Sequence, residues 1–145
     1  MKLNRKVEFA LIALRHMSDK RPGVLTSGKE ISDTYGCSFD VTSRVLQRLA
    51  QAGILKSVQG AQGGYQIVRD LDRLFFYELN SLLTGPIGIA KCLHDEGSDC
   101  EIRSSCNIVT PVQRLNEKLR NFYLELPVQD LLGAKPTTDT SQDLQ

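Results

Sequence analysis

The 145-residue chain has only two histidines and no apolar run long enough to cross a membrane, and it shows no internal repeat. The first shortage argues against most enzyme classes. No nucleophile stands beside a base in any recognisable pattern, and no glycine-rich loop is placed to cradle phosphates. The second shortage removes a membrane span, which needs about 20 apolar residues. The run at residues 9–14 is preceded by Glu8 and followed by Arg15 rather than by a small-residue cleavage site. It does not read as a secretion signal, and the cytoplasm is the expected compartment. With only four cysteines in that reducing compartment, structural disulfides are not expected; metal binding, redox chemistry or plain burial are the alternatives.

Net charge is nearly absent as well, at +1, but the balance conceals an asymmetry. Residues 1–73 carry 12 Lys/Arg against 7 Asp/Glu, a net of +5, and residues 74–145 carry 6 against 10, a net of −4. The front half is therefore the part suited to a polyanion.

That half has a readable order. Leu3, Val7, Ala10, Leu14 and Met17 recur at helical spacing and predict a first helix, ended by the "RPG" of residues 21–23. Ser27 precedes Glu30 by three residues, a capping-box pattern for a short second helix that Gly36 terminates. After a tight turn, "SFDVTSRVLQRLAQAG" predicts a third helix that buries Val41, Val45, Leu46 and Leu49, turns Thr42, Ser43, Arg44, Gln47 and Arg48 outward, and stops at Gly53. "ILKSVQG" and "YQIVRD", separated by "AQGG", predict a β-hairpin in which Gly63 and Gly64 supply positive φ and close backbone approach. The expected fold is mainly α with this small hairpin: a winged helix-turn-helix followed by a long C-terminal dimerisation helix.

Beyond the hairpin, "LFFYELNSLLTGP" predicts a helix closed by Gly85-Pro86. Thr110, Pro111 and Gln113 offer a cap, a first-turn proline and a box partner for the last long helix, although a start near Ser104 is also open. Val112, Leu115, Leu119, Phe122 and Leu126 make a seam of two heptads, too short to hold a dimer alone, so the first helix is expected to share that work. Pro127 ends the helix and "VQDLL" docks as a short piece. The expected organisation is a DNA-binding region (1–73), a linker helix and cysteine loop (74–109), a dimerisation helix with its docked end (110–132) and a disordered tail (133–145).

The loop "CLHDEGSDCEIRSSC" sets Cys92, Cys100 and Cys106 among charged and small polar residues, with seven residues between the first two and five between the last two. That is too wide for the paired knuckles of structural zinc, but a polar loop of this kind can wrap a larger inorganic cluster. Cys37 stands apart, in the turn between two helices, and reads as packing.

"GILKSVQGAQGGYQI" after a helix-turn-helix and before a three-cysteine loop resembles the IscR, NsrR and RirA group of winged-helix regulators (Rrf-type), as do "MKLNRKVEFALIAL" and "CEIRSSCNI"; the resemblance spans residues 1–132. It implies a homodimeric transcription factor, in most members a repressor, that binds a pseudo-palindromic double-stranded operator. It also implies an iron–sulfur cluster on Cys92, Cys100 and Cys106 that modulates DNA binding. The seven-five spacing is closer to the RirA type than to the IscR type, which leans towards sensing iron or cluster status.

Two departures stand out. Where IscR-like proteins place a histidine three residues after the last loop cysteine, this chain has Val109. Glu8 matches the position from which NsrR-type relatives supply an acidic ligand across the dimer, and three thiolates with one carboxylate resemble the 4Fe-4S members more than the 2Fe-2S ones. His94, water or a small molecule are the other fourth ligands, and a solvated Glu8 beside Arg5 and Arg15 is the plain alternative. Where IscR puts an arginine before the wing glycine, this chain has Gln59.

By position in the resemblance, Ser38, Asp40, Ser43 and Arg44 would face DNA, with Gln47 one turn further. Arg44 suits guanine, Asp40 a cytosine amino group, and the serines bases or phosphates. Gln59 and Gln62 could reach sugars or base edges, and Lys2, Arg5 and Lys6 could hold phosphates. Two other functions compete: a winged-helix regulator using thiol redox or zinc without a cluster, and an iron–sulfur electron carrier or cluster-assembly partner.

Overall fold

The computed structural model describes residues 2–90, 93 and 101–133; Cys92, His94, Cys100 and the tail beyond residue 133 lie outside them. The described chain runs α1 (Arg5–Ser18), α2 (Gly28–Tyr35), α3 (Phe39–Gln51), β1 (Leu55–Val58), β2 (Gly64–Ile67), α4 (Phe76–Thr84), α5 (Val109–Leu124) and α6 (Val128–Leu132). It is mainly helical with one two-stranded antiparallel sheet, as the sequence predicts.

Helix α1 starts later than its apolar spacing suggests. Asn4 caps it by accepting the Lys6 N–H at 2.8 Å, so Leu3 stays outside the helix and exposed. Val7, Ala10, Ala13 and Leu14 are wholly buried, and the last three meet Ile31 of α2, Leu46 and Leu49 of α3 and Leu79 of α4 in one core. Ser27 caps α2 by accepting the Glu30 N–H at 3.0 Å, and Gly36, at φ 69°, turns the chain out of it. Only half of the expected capping box forms, because the Glu30 carboxylate is taken by His16 and by Lys20 at 2.5 Å.

Helix α3 is rotated relative to its sequence reading. Thr42, expected to face outward, is 1% exposed, whereas Val41 is only half-buried. Thr42, Val45, Leu46 and Leu49 follow an i, i+3, i+4, i+7 pattern of buried residues, and the last three join the core shared with α1 and α2. Val41 falls at its edge.

The hairpin pairs Leu55 with Ile67 and Val58 with Gly64, and a bridge between Thr26 and Tyr65 ties it to the segment before α2. Gly60, not Gly63 or Gly64, takes the positive φ, at 122°. The other two are needed for space: a Cβ on Gly63 would lie 2.2 Å from the Val58 carbonyl oxygen, and one on Gly64 would lie 2.8 Å from that of Thr26. Arg69, just beyond β2, donates to both carboxylate oxygens of Glu78 on α4, at 2.5 and 2.7 Å, fixing the hairpin's base.

Helix α5 begins at Val109 after Ile108, without a side-chain cap, so Thr110 is not the cap its spacing suggests. Pro111 then falls in the first turn, where a missing N–H costs no helical bond. No residue of α5 is buried; Leu115 and Phe122 are 53% and 59% exposed. Its C-terminal end is held by Tyr123, edge-on to Phe76 at 4.7 Å between centroids. The Phe76 N–H donates to the Leu126 carbonyl and the Val128 N–H to that of Leu74, each at 2.7 Å. Helix α6 docks by burying Val128 and Leu132, and Arg15 of α1 donates to the Leu132 carbonyl at 2.8 Å.

One imidazole joins α1 to both ends of α2: His16 contacts Glu30 through Nε2 and the Tyr35 hydroxyl through Nδ1, the latter at 2.7 Å. Partial burial pushes the Glu30 carboxyl up, but the hydrogen bonds and charges of Lys20 and His16 outweigh it and hold the group below its ordinary value of 4.5. A carboxyl depressed in the folded state stabilises the fold above its unfolded value and loses that contribution as pH falls through the folded one. Urea unfolding of Glu30→Gln beside wild type should show the variant less stable at neutral pH, with the gap shrinking as pH drops below about 4.5.

Candidate nucleic-acid interface and cysteine loop

The α2–turn–α3 unit presents the first turn and one side of α3 to solvent. Ser38 is its N-cap, accepting the Val41 N–H at 3.4 Å, so its hydroxyl is in part committed to the helix. Asp40 and Arg44 are both exposed and pair one turn apart at 3.3 Å. Such a pair stabilises little in water and opens readily to another partner. Ser43 is half-buried and Gln47 exposed. At the wing, Gln59 and Gln62 are exposed, and the Gln59 amide donates to the Ser57 hydroxyl at 3.3 Å.

Lys2, Arg5 and Lys6 are all exposed at the start of α1. Lys6 lines a groove of about 240 Å³ together with Arg44 and Arg48, over a floor of Val41, Val45, Leu82 and Leu83. Sequence reasoning turned Arg48 outward and gave it no role. Its position four residues after Arg44 was the available signal, since that spacing places both guanidinium groups on one side of α3. Arg5 is turned elsewhere, bonded to Glu8 at 2.9 Å with its guanidinium 5.8 Å from the centre of the Phe9 ring.

Of the thiols expected to hold the cluster, Cys106 lies within the described residues; Cys92 and Cys100, and the alternative ligand His94, lie outside them. Cys106 is a free, half-buried thiol three residues before α5, and its N–H donates to the Arg103 carbonyl at 3.4 Å. A half-accessible thiol of this kind is a suitable soft donor for iron. Cys37 is likewise free and half-buried, in the turn between α2 and α3. Glu8 has a side chain 37% exposed, and its pair with Arg5 is a surface one. No group of three or more His, Cys, Asp or Glu poised around a metal occurs among the described residues.

The stem entering the loop is fixed to α5 by a residue the sequence did not flag. Asn116 accepts the Ile89 N–H at 3.2 Å and donates to the Ile87 carbonyl at 3.4 Å. An amide can do both at once, whereas a carboxylate can only accept and an aliphatic group does neither. The stem and α5 also flank an open groove of about 790 Å³ that reaches Lys2, Leu3 and Asn4 ahead of α1 and Asn80 and Thr84 on α4.

A helix-turn-helix backed by a hairpin wing, with cations gathered beside the second helix of the motif, defines a winged-helix transcriptional regulator. The chain belongs to the Rrf2 family, described as "Iron-dependent Transcriptional regulator", whose profile matches residues 3–134. It is 27% identical over 108 residues to the HTH-type transcriptional regulator NsrR of Bacillus subtilis (strain 168), covering 74% of each chain. It is 26% identical over 144 residues to IscR of Xenorhabdus nematophila, covering 97% of this chain and 85% of that one. Among solved structures, CymR (YrzC), the global cysteine regulator of B. subtilis, superposes with a TM-score of 0.70 at 23% identity, covering 94% of this chain and 99% of that one. T. potens IscR does so with a TM-score of 0.64 at 20% identity, covering 91% and 86%. No described helix is long and apolar enough to cross a membrane.

Replacing Asn116 by Leu keeps the branched shape and heavy-atom count of the side chain and removes both hydrogen bonds to the stem. Exchange of the Ile89 amide, followed by NMR, should speed up by about tenfold, the equivalent of one ordinary hydrogen bond; an unchanged rate would show that the contact does not hold the stem.

Proposed function

We propose that the chain is a homodimeric, sequence-specific DNA-binding regulator, a repressor, whose affinity for a pseudo-palindromic operator is set by an iron–sulfur cluster on Cys92, Cys100 and Cys106. The observation that carries the DNA-binding part is the convergence of Lys6, Arg44 and Arg48 around one groove beside the exposed face of α3. Three cations on two helices match the spaced negative charge of a phosphate backbone, while Arg44, released from Asp40, suits a guanine edge. Asp40, Ser38, Ser43 and Gln47 complete the reading face. Gln59 and Gln62 face the flanking groove without the charge that an arginine would bring. Lys2 and Arg5 add phosphate contacts.

The cluster part is supported by the three-thiol loop, by the free thiol of Cys106 and by the IscR and NsrR relatives. When bound, a cluster of this kind supplies a centre open to oxidation and ligand exchange. We favour a 4Fe-4S type, with Glu8 of the partner subunit as fourth ligand and His94 as the alternative. Glu8 would have to leave Arg5, a cheap exchange for a surface pair. The unburied face of α5, with Leu115 and Phe122, supplies the dimer contact. A second reading keeps DNA binding and makes the loop a thiol or zinc sensor, favoured by the fold shared with a cysteine regulator.

Iron and acid-labile sulfide per chain, measured on anaerobically purified protein beside Cys100→Ala, separate the two. The cluster reading expects both elements in wild type and neither in the variant; wild type carrying neither after reconstitution would leave the thiol or zinc reading in place. For the DNA face, Arg44→Ala should weaken operator binding by about 1–3 kcal/mol and relax base preference at one position per half-site. Arg48→Ala should weaken all sequences alike and flatten the salt dependence.

A further inference from the structure

We infer that Phe39 is a specificity-determining residue, using its exposed ring to contact the 5-methyl group of one thymine per operator half-site. The inference rests on the proposed reading of α3 as the helix that enters the major groove.

Phe39 is the first residue of α3 and is 57% exposed, although a phenylalanine is among the residues most often buried. It does not belong to an apolar patch of α3, since the residues three and four positions on along its face, Thr42 and Ser43, are polar. Among the other exposed large apolar residues, Leu115, Phe122 and Leu124 share one helix, α5, as a protein partner would need, whereas Phe39 is the one on α3.

The ring is nevertheless supported. A Cβ on Gly28, the first residue of α2, would lie 3.8 Å from Phe39 Cε2, so one edge of the ring rests over a backbone that has no side chain. The rest faces outward from the helix turn whose residues reach base edges in motifs of this kind.

The polar groups beside it are partly occupied. Ser38 caps the helix through Val41, and Asp40 and Arg44 hold each other. Phe39 offers a contact that none of them can make, and the thymine methyl is the apolar feature that base pairs present in the major groove.

An operator selected from random duplex DNA with the wild-type protein provides the test, with each thymine then replaced singly by uracil, which removes only the methyl group. In wild type, one thymine per half-site should lose about fourfold in affinity on becoming uracil, the value of burying one methyl group. Phe39→Ala should bind the thymine and uracil duplexes equally, and Phe39→Leu should retain part of the difference. A melting temperature close to wild type for both variants shows that the change is not one of folding. A methyl effect that survives in Phe39→Ala, or no methyl effect at all, overturns the inference while the DNA-binding reading stands. Failure to select any operator overturns both.

Discussion

A sixteen-residue helix that buries none of its side chains within its own chain depends on something else to cover it. Isolated helices of this length are marginal in water, and the core leaves Leu115 and Phe122 exposed. Covering what is still exposed of each would contribute about 1–2 kcal/mol. Contacts within the chain hold α5 mainly through its end and one point along it. Tyr123 rests on Phe76, the Leu126 and Val128 backbone is bonded to the chain around α4, and Asn116 grips the stem at Ile87 and Ile89. On the proposed reading, a second copy supplies the missing cover and α5 sets the distance between two recognition helices.

Much of the head was legible because its signals are local. Ser27 three residues before Glu30, Gly36 after α2 and the paired short strands each report a conformation fixed within a few residues. The misreadings arose where distant elements decide. Thr42 is buried by the packing of α3 onto the rest of the head, and no periodicity within α3 shows where its buried arc will be centred. The Glu30 carboxylate leaves its box for His16 and Lys20, which α1 and the segment just after it bring beside it. Gly60 carries the hairpin's positive φ, whereas Gly63 and Gly64 are needed because a Cβ there would collide with the Val58 and Thr26 carbonyls, a matter of space and not of turn preference.

The same division runs through the candidate site. Arg44 and Asp40 were readable as outward residues of α3, but their mutual pairing was not, and Arg48 became significant only when the fold brought Lys6 to the same groove. Asn116 was invisible for a related reason. Its bonds to Ile89 and Ile87 span 27 and 29 residues, and a lone asparagine on a helix carries no local sign of them. Phe39 was passed over because an aromatic at a helix start resembles any other core residue until its exposure is known.

Coupling between loop and DNA requires that the cluster-loaded and cluster-free forms differ in operator affinity; a tight cluster with no such difference would regulate nothing. The direct measurement is a pair of operator titrations by fluorescence anisotropy at one fixed salt concentration, on anaerobic cluster-loaded protein and on the same preparation after cluster removal. The account predicts a change of at least about fivefold between the two, the lower end of ordinary allosteric coupling. Equal affinity in both forms would contradict it.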